Sequence, residues 1–331
     1  MSRSLVFASL FAVAASSTWA QGITAVVNAA SFQSGLPSGG ALATIFCTGL
    51  PLSAAKPGTY VAPASLPLPY VLGGLYVVIN GAPSPLLAVV ITSSGQTANA
   101  QINFQVPMER NASLNPTTPP SGYSGSVAVA QVFSDTVNGS ESSVLTNVAS
   151  LTAFPAPTGW GGFFAGANGY AIAQHASDYS LVTPQNPAHA GETIIAYADD
   201  FLPVWPPSPI GVPAPQQPLS QILPSYLISD PGLFEVSSTY LYLQAYPPPT
   251  CGAFLGQDCY SFASTPPVRV TFEGLAPGQI GVEQINFVVP ANQQPGNWAL
   301  FFNIGSCTTA PFSPGACGNA LSSPYVLLPV Q

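Results

Sequence analysis

Short runs in which apolar and polar residues alternate, broken every few positions by Gly, Pro, Asn or Ser, recur along the chain. A period of two puts successive side chains on opposite faces of a strand. In Gln101-Ile102-Asn103-Phe104-Gln105-Val106-Pro107, Ile102, Phe104 and Val106 face one way and Gln101, Asn103 and Gln105 the other. Pro107 has no N–H to give a ladder, so the strand stops there. Ile23 to Val27 and Ala41 to Phe46 predict two strands before a Pro/Ala/Ser-rich loop over Leu50 to Pro69. Leu75 to Ile79 meets Asn80-Gly81, a pair suited to positive φ, which predicts a tight hairpin returning along Leu86 to Ile91. Ser126 to Phe133 and Ser143 to Leu151 close this first set. No segment sustains a 3.6-residue apolar period over three turns, so the class is all-β.

The same pattern returns later. Gln284-Ile285-Asn286-Phe287-Val288-Val289-Pro290 repeats the motif strand, and Gly191-Glu192-Thr193-Ile194-Ile195 falls on Gly40-Ala41-Leu42-Ala43-Thr44. The step is 151 residues between the glycines but 183 between the motif glutamines, so the second copy is longer by 32. That gain falls within about 203–267, a Pro- and Tyr-rich stretch. About seven strands per copy with turn signals between them fit two Greek-key β-sandwiches related by internal duplication. The expected divisions are 21–154 and 170–331, joined by a linker or crossover over 155–169.

Composition changes the picture mainly by exclusion. Residues 1–20 read as a secretory signal, with Arg3, an apolar Leu5 to Ala15 and a small-residue end at Thr18-Trp19-Ala20. Removing them leaves Lys56, Arg110 and Arg269 against 12 acidic residues, which excludes nucleic acid as a partner. No later run is long and apolar enough for a membrane helix. The expected location is therefore extracellular, at a bacterial cell surface or in the periplasm. Among five cysteines, Cys251 with Cys259 and Cys307 with Cys317 are the simplest local disulfides. Cys47 is left over, and a buried thiol acting as a small hydrophobe is its simplest reading.

Candidate chemistry is sparse. Asn103 and Asn286 recur in the motif and are expected as structural amides that satisfy backbone groups of a neighbouring loop, with Gln101, Phe104, Gln284 and Phe287 completing the repeat. Asp199 and Asp200 are the one adjacent carboxylate pair and the candidate calcium site, against the alternative of a solvated turn. His175 and His189 have no second ligand at metal spacing. No G-x-S-x-G, phosphate loop or paired catalytic carboxylates occur, so neither an enzyme nor a cofactor is expected. The most distinctive stretch is Tyr240-Leu241-Tyr242-Leu243-Gln244-Ala245-Tyr246. On one strand Tyr240, Tyr242 and Tyr246 share a face that could stack on sugar rings or bury in a partner interface; a strand covered by the rest of the insertion is the alternative.

Val27 to Phe32, Ala43 to Leu50, Leu72-Gly73-Gly74, Asn80-Gly81, Ala171 to Gln174, Asn186-Pro187-Ala188, Gly274 to Gly278 and both Gln-Ile-Asn-Phe motifs together resemble a C-terminal domain of Solibacter and other acidobacterial secreted proteins. The resemblance implies tandem immunoglobulin-like, IPT/TIG-like sandwiches and carries no reaction. Two departures stand out: Cys47 replaces a usual glycine, and Asp199-Asp200 replaces a Gly-Thr-Gly-like turn. The expectation is a secreted, non-catalytic interaction or structural module whose partner is an extracellular protein or a polysaccharide. The alternative is a carbohydrate-binding protein using the inserted tyrosines.

Overall fold

The computed structural model describes residues 22–52, 55–107, 126–137, 140–152, 161–200, 204–222, 236–246, 268–307 and 317–331. Among them the chain is all-β, without a helix, in several antiparallel sheets consistent with a β-sandwich. The expected signal segment and Cys251 and Cys259 lie outside the described residues. Much of the insertion does as well.

In the first half, one sheet runs in the order Gly22–Asn28, Leu42–Pro51, Thr97–Gln105, Leu86–Ser94, Gly58–Val61. The second runs Ser140–Thr152, Ser126–Val137, Leu75–Ile79, Val71–Leu72, with Ala82–Ser84 also paired to Leu75–Ile79. Alternation explains the core between them. Ile102 and Phe104 of the motif strand and Ile45 and Val89 of its neighbours join Leu75, Val77, Ile79 and Val129 in one buried cluster.

The second half repeats this logic. Gly162–Phe163, Thr193–Asp199, Glu283–Val288, Arg269–Leu275, Gln221–Ile222 and Val204–Trp205 form one sheet, with Ala173–His175 beside Thr193–Asp199. Val236–Ala245, Gly296–Cys307 and Cys317–Ser322 form another, with Val326–Val330 also on Gly296–Cys307. Ile194, Ala196, Ile285 and Phe287 pack with Leu241, Leu243, Leu300 and Phe302. Each motif strand thus lies beside the strand that follows Gly40 or Gly191, Leu42–Pro51 in the first half and Thr193–Asp199 in the second, and burying Phe104 or Phe287 contributes roughly 1.5–3 kcal/mol.

Backbone hydrogen bonds recur at matching places. Phe32 N–H donates to Asn28 O and Tyr179 N–H to His175 O, with φ of 55° at Phe32 and 60° at Tyr179. Gly40 N–H donates to Val106 O and Gly191 N–H to Val289 O. Ala41 N–H donates to Ser38 O and Glu192 N–H to His189 O. By these bonds Asn28, Ser38 and Ala41 correspond to His175, His189 and Glu192.

One expectation is corrected. Asn80-Gly81 does form a two-residue turn, both residues having positive φ, but the return strand is Ala82–Ser84. Pro85 cannot donate to a ladder, and the chain crosses there so that Leu86–Ser94 pairs with Thr97–Gln105 in the other sheet. The stretch expected as a linker contributes Gly162–Phe163 to a sheet, and Phe163 stacks on Phe302 with ring centroids 4.7 Å apart.

Candidate functional site

A dense polar constellation lies where the two halves meet. The Thr193–Asp199 strand ends by delivering Asp199, wholly buried, to the first half. Its Oδ1 accepts Leu42 N–H at 3.0 Å, and its Oδ2 accepts Asn28 Nδ2–H at 3.0 Å. Asp200, at φ 62°, leaves the strand direction and accepts Ser38 N–H on Oδ1 at 3.1 Å. Asn28 is held for this contact because its own Oδ1 accepts Ala30 N–H, Ser31 N–H and the Ser31 hydroxyl. The adjoining motif residue Gln105 spans the seam: Nε2–H donates to Gly40 O at 2.8 Å, and Oε1 accepts Gly211 N–H at 2.7 Å. Gly162 completes it, since a Cβ there would lie 2.5 Å from the Ser31 Cβ.

Burial, then the neighbouring Asp200, pushes the Asp199 carboxyl well above its ordinary range, opposed by the Leu42 and Asn28 donors. Burial likewise pushes Asp200 up to about 6. Calcium requires a shell of oxygens. The groups facing Asp199 are instead N–H donors, whose positive ends oppose a cation. The pair is therefore not the solvated turn that was its first reading, and its donor-facing carboxyls do not suit the alternative, calcium; it is an acceptor for the first half.

The motif amides also differ from expectation. Asn103 Oδ1 accepts the Thr44 hydroxyl at 3.1 Å and Gln101 Nε2–H at 3.2 Å, and Asn286 Oδ1 accepts Gln284 Nε2–H at 2.9 Å. The partners are side chains on the same face of the sheet, two residues along or one strand over, and not the backbone of a loop. Gln105 has no amide counterpart, because Val288 stands at that place in the second motif. Gln105 uses its amide to reach Gly211 of the second half.

The tyrosine stretch forms the end of the Val236–Ala245 strand. Leu241 and Leu243 enter the core as alternation requires. Tyr242 is only 8% exposed, so the face it shares is covered at that point. Register explains it: Tyr242 stands opposite Phe301, and the rings stack with centroids 5.6 Å apart. Tyr246 lies just past the strand, 42% exposed, with its ring 5.8 Å from Tyr325. The Tyr240 side chain lies outside the described residues. A continuous tyrosine row is therefore broken at its centre.

Cys47 is buried in the first core, and burial pushes its thiol up to about 12, so it stays protonated at neutral pH. Cys307 and Cys317 stand opposite each other in the antiparallel register. No family model matches the chain, and no curated protein does. Sequence reasoning missed Asn28, Gln105 and Gly162 as seam residues, and it missed that the fold brings His175 and His189 together across Glu192. For Gln105 a signal existed in its replacement by Val288; for the histidines, 14 residues apart, spacing offered none.

Proposed function

We propose that the chain is a secreted, non-catalytic interaction or structural module in which two immunoglobulin-like Greek-key sandwiches, products of an internal duplication, act as one body. The burial of Asp199 of the second half among donors of the first carries this reading. A flexible linker between independent domains would leave such a carboxylate solvated, since burying it without partners costs several kcal/mol. The recurring backbone bonds around Phe32 and Tyr179 support the duplication, and the resemblance to acidobacterial secreted proteins supports the extracellular setting. Cys47, held protonated in the core, offers no thiolate nucleophile.

Small-angle scattering of the mature chain tests the reading. Asp199→Ala is expected to enlarge the radius of gyration and broaden the distance distribution while circular dichroism stays β-rich. An unchanged scattering profile with an unchanged melting temperature would mean that the seam does not hold the halves together. A carbohydrate-binding reading keeps one specific observation, the exposed Tyr246 beside Tyr325. Loss of retardation in polysaccharide affinity gels on Tyr246→Ala supports it, and equal retardation removes it.

A further inference from the structure

The only two histidines of the chain converge on one glutamate. His175 Nδ1 lies 3.0 Å from one Glu192 carboxylate oxygen and 3.1 Å from the other, and His189 Nδ1 lies 3.6 Å from Oε2. One ligand atom from each residue can be chosen so that all three lie within 4.8 Å of one another. We propose that His175, His189 and Glu192 bind a single Zn²⁺ ion, with the remaining coordination position open to water.

Three features argue for it. First, ligand atoms about 2.0–2.2 Å from a tetrahedral zinc ion stand roughly 3.3–3.5 Å apart, and the 3.1 and 3.6 Å separations of the His175 and His189 Nδ1 atoms from Glu192 Oε2 bracket that value. Closing on an ion draws together atoms that already lie within 4.8 Å of one another.

Second, both ring nitrogens of His175 face acceptors. Nδ1 faces the Glu192 carboxylate and Nε2 lies 3.3 Å from the Asn186 carbonyl oxygen. A neutral imidazole donates one hydrogen only. If Nε2–H goes to Asn186, the Nδ1 lone pair points at a carboxylate, and a positive centre between them resolves the contact. A metal ion there, with a backbone carbonyl holding the other ring nitrogen, is the usual arrangement of a ligating histidine. Around it, His189 N–H holds Glu192 Oε1 at 2.8 Å, and the Gln331 amide lies 3.1 Å from His189 Nε2. A half-turn of that amide presents an oxygen to the Nε2–H.

Third, the matching backbone bonds place these three residues where the first half has Asn28, Ser38 and Ala41. There the corresponding end of the fold receives the Asp199 and Asp200 carboxylates, whereas here all three positions carry metal-ligating side chains. His189 is 54% exposed and provides the path for an ion to enter, while His175 beneath it is buried.

The test is calorimetric titration of the tag-free, chelator-treated chain with zinc chloride. One ion per chain is expected, together with a higher melting temperature in zinc. His189→Ala removes an exposed side chain and should leave the zinc-free melting temperature unchanged while weakening zinc binding at least about tenfold. Glu192→Gln should do the same to affinity, and Co²⁺ bound to the wild type should show the intense visible bands of a four-coordinate site that both variants lose. Absence of zinc binding by the wild type, or equal affinity in wild type and His189→Ala, would overturn the proposal and leave an imidazolium–carboxylate pair.

Discussion

Replacing Asp199 by Asn tests whether the seam is built on a carboxylate specifically. The amide keeps one oxygen for Leu42 N–H but turns an NH₂ toward Asn28 Nδ2, donor against donor. Asn28 cannot flip to answer, because its Oδ1 already accepts three donors in its own turn. The loss comprises the Asn28 hydrogen bond, about 0.5–1.5 kcal/mol, and a buried donor left unmet, about 1–3 kcal/mol. Against it stands the desolvation cost that raises the Asp199 carboxyl pKa and that the amide escapes. The unmet donor outweighs that relief, giving a net destabilisation of about 1–3 kcal/mol in urea unfolding of residues 21–331. The discriminating variant is the exchange Asn28→Asp with Asp199→Asn. The carboxylate introduced at position 28 would accept its own turn donors on one oxygen and the new amide NH₂ of position 199 on the other, while the oxygen of that amide kept Leu42 N–H. Recovery of at least about half of the loss is expected from such coupled neighbours. An exchange no more stable than Asp199→Asn alone would refute the reasoning.

Stability should also fall as pH rises. Burial lifts Glu273 to about 7 and Asp200 to about 6, above their ordinary values, so the folded state binds protons more tightly than the unfolded chain. Their contribution is full below about pH 4 and is lost on rising through 6 to 7, and Glu273→Gln should flatten the upper part of a melting-temperature profile from pH 4 to 8. Tyr242→Ala should cost about 3–5 kcal/mol by opening a cavity against Phe301, while Tyr246→Ala should stay within about 0.5 kcal/mol, both read from denaturant midpoints. Without reductant, Cys307 and Cys317 should resist alkylation as a cross-strand disulfide, whereas Cys47 should react only after denaturation. Alkylation of both strand cysteines in the unreduced native chain would exclude that pairing.

Alternation by itself determined the motif strands, their inward Ile102, Phe104, Ile285 and Phe287, and the leucine face of the tyrosine strand. These are local properties: a pleated strand has only two faces, and the apolar one must leave water. The repeat likewise located the strand pairs that lie side by side in each half. The hairpin turn was legible at Asn80-Gly81, but its continuation was not, because Pro85 sends the chain to a different sheet and only packing chooses which. What tertiary structure decided was the meaning of the polar residues. Asp199, Gln105 and Gly162 look like turn, strand and linker residues until the second half is laid against the first, where each becomes a seam contact. Tyr242 looks like a binding residue until register places Phe301 opposite it. His175, His189 and Glu192 become neighbours only when the end of the Ala173–His175 strand, a loop and the residue before the Thr193–Asp199 strand close on one point. A hydrogen bond or a ligand set depends on a few tenths of an ångström between atoms distant in sequence, and neither period nor spacing carries that distance.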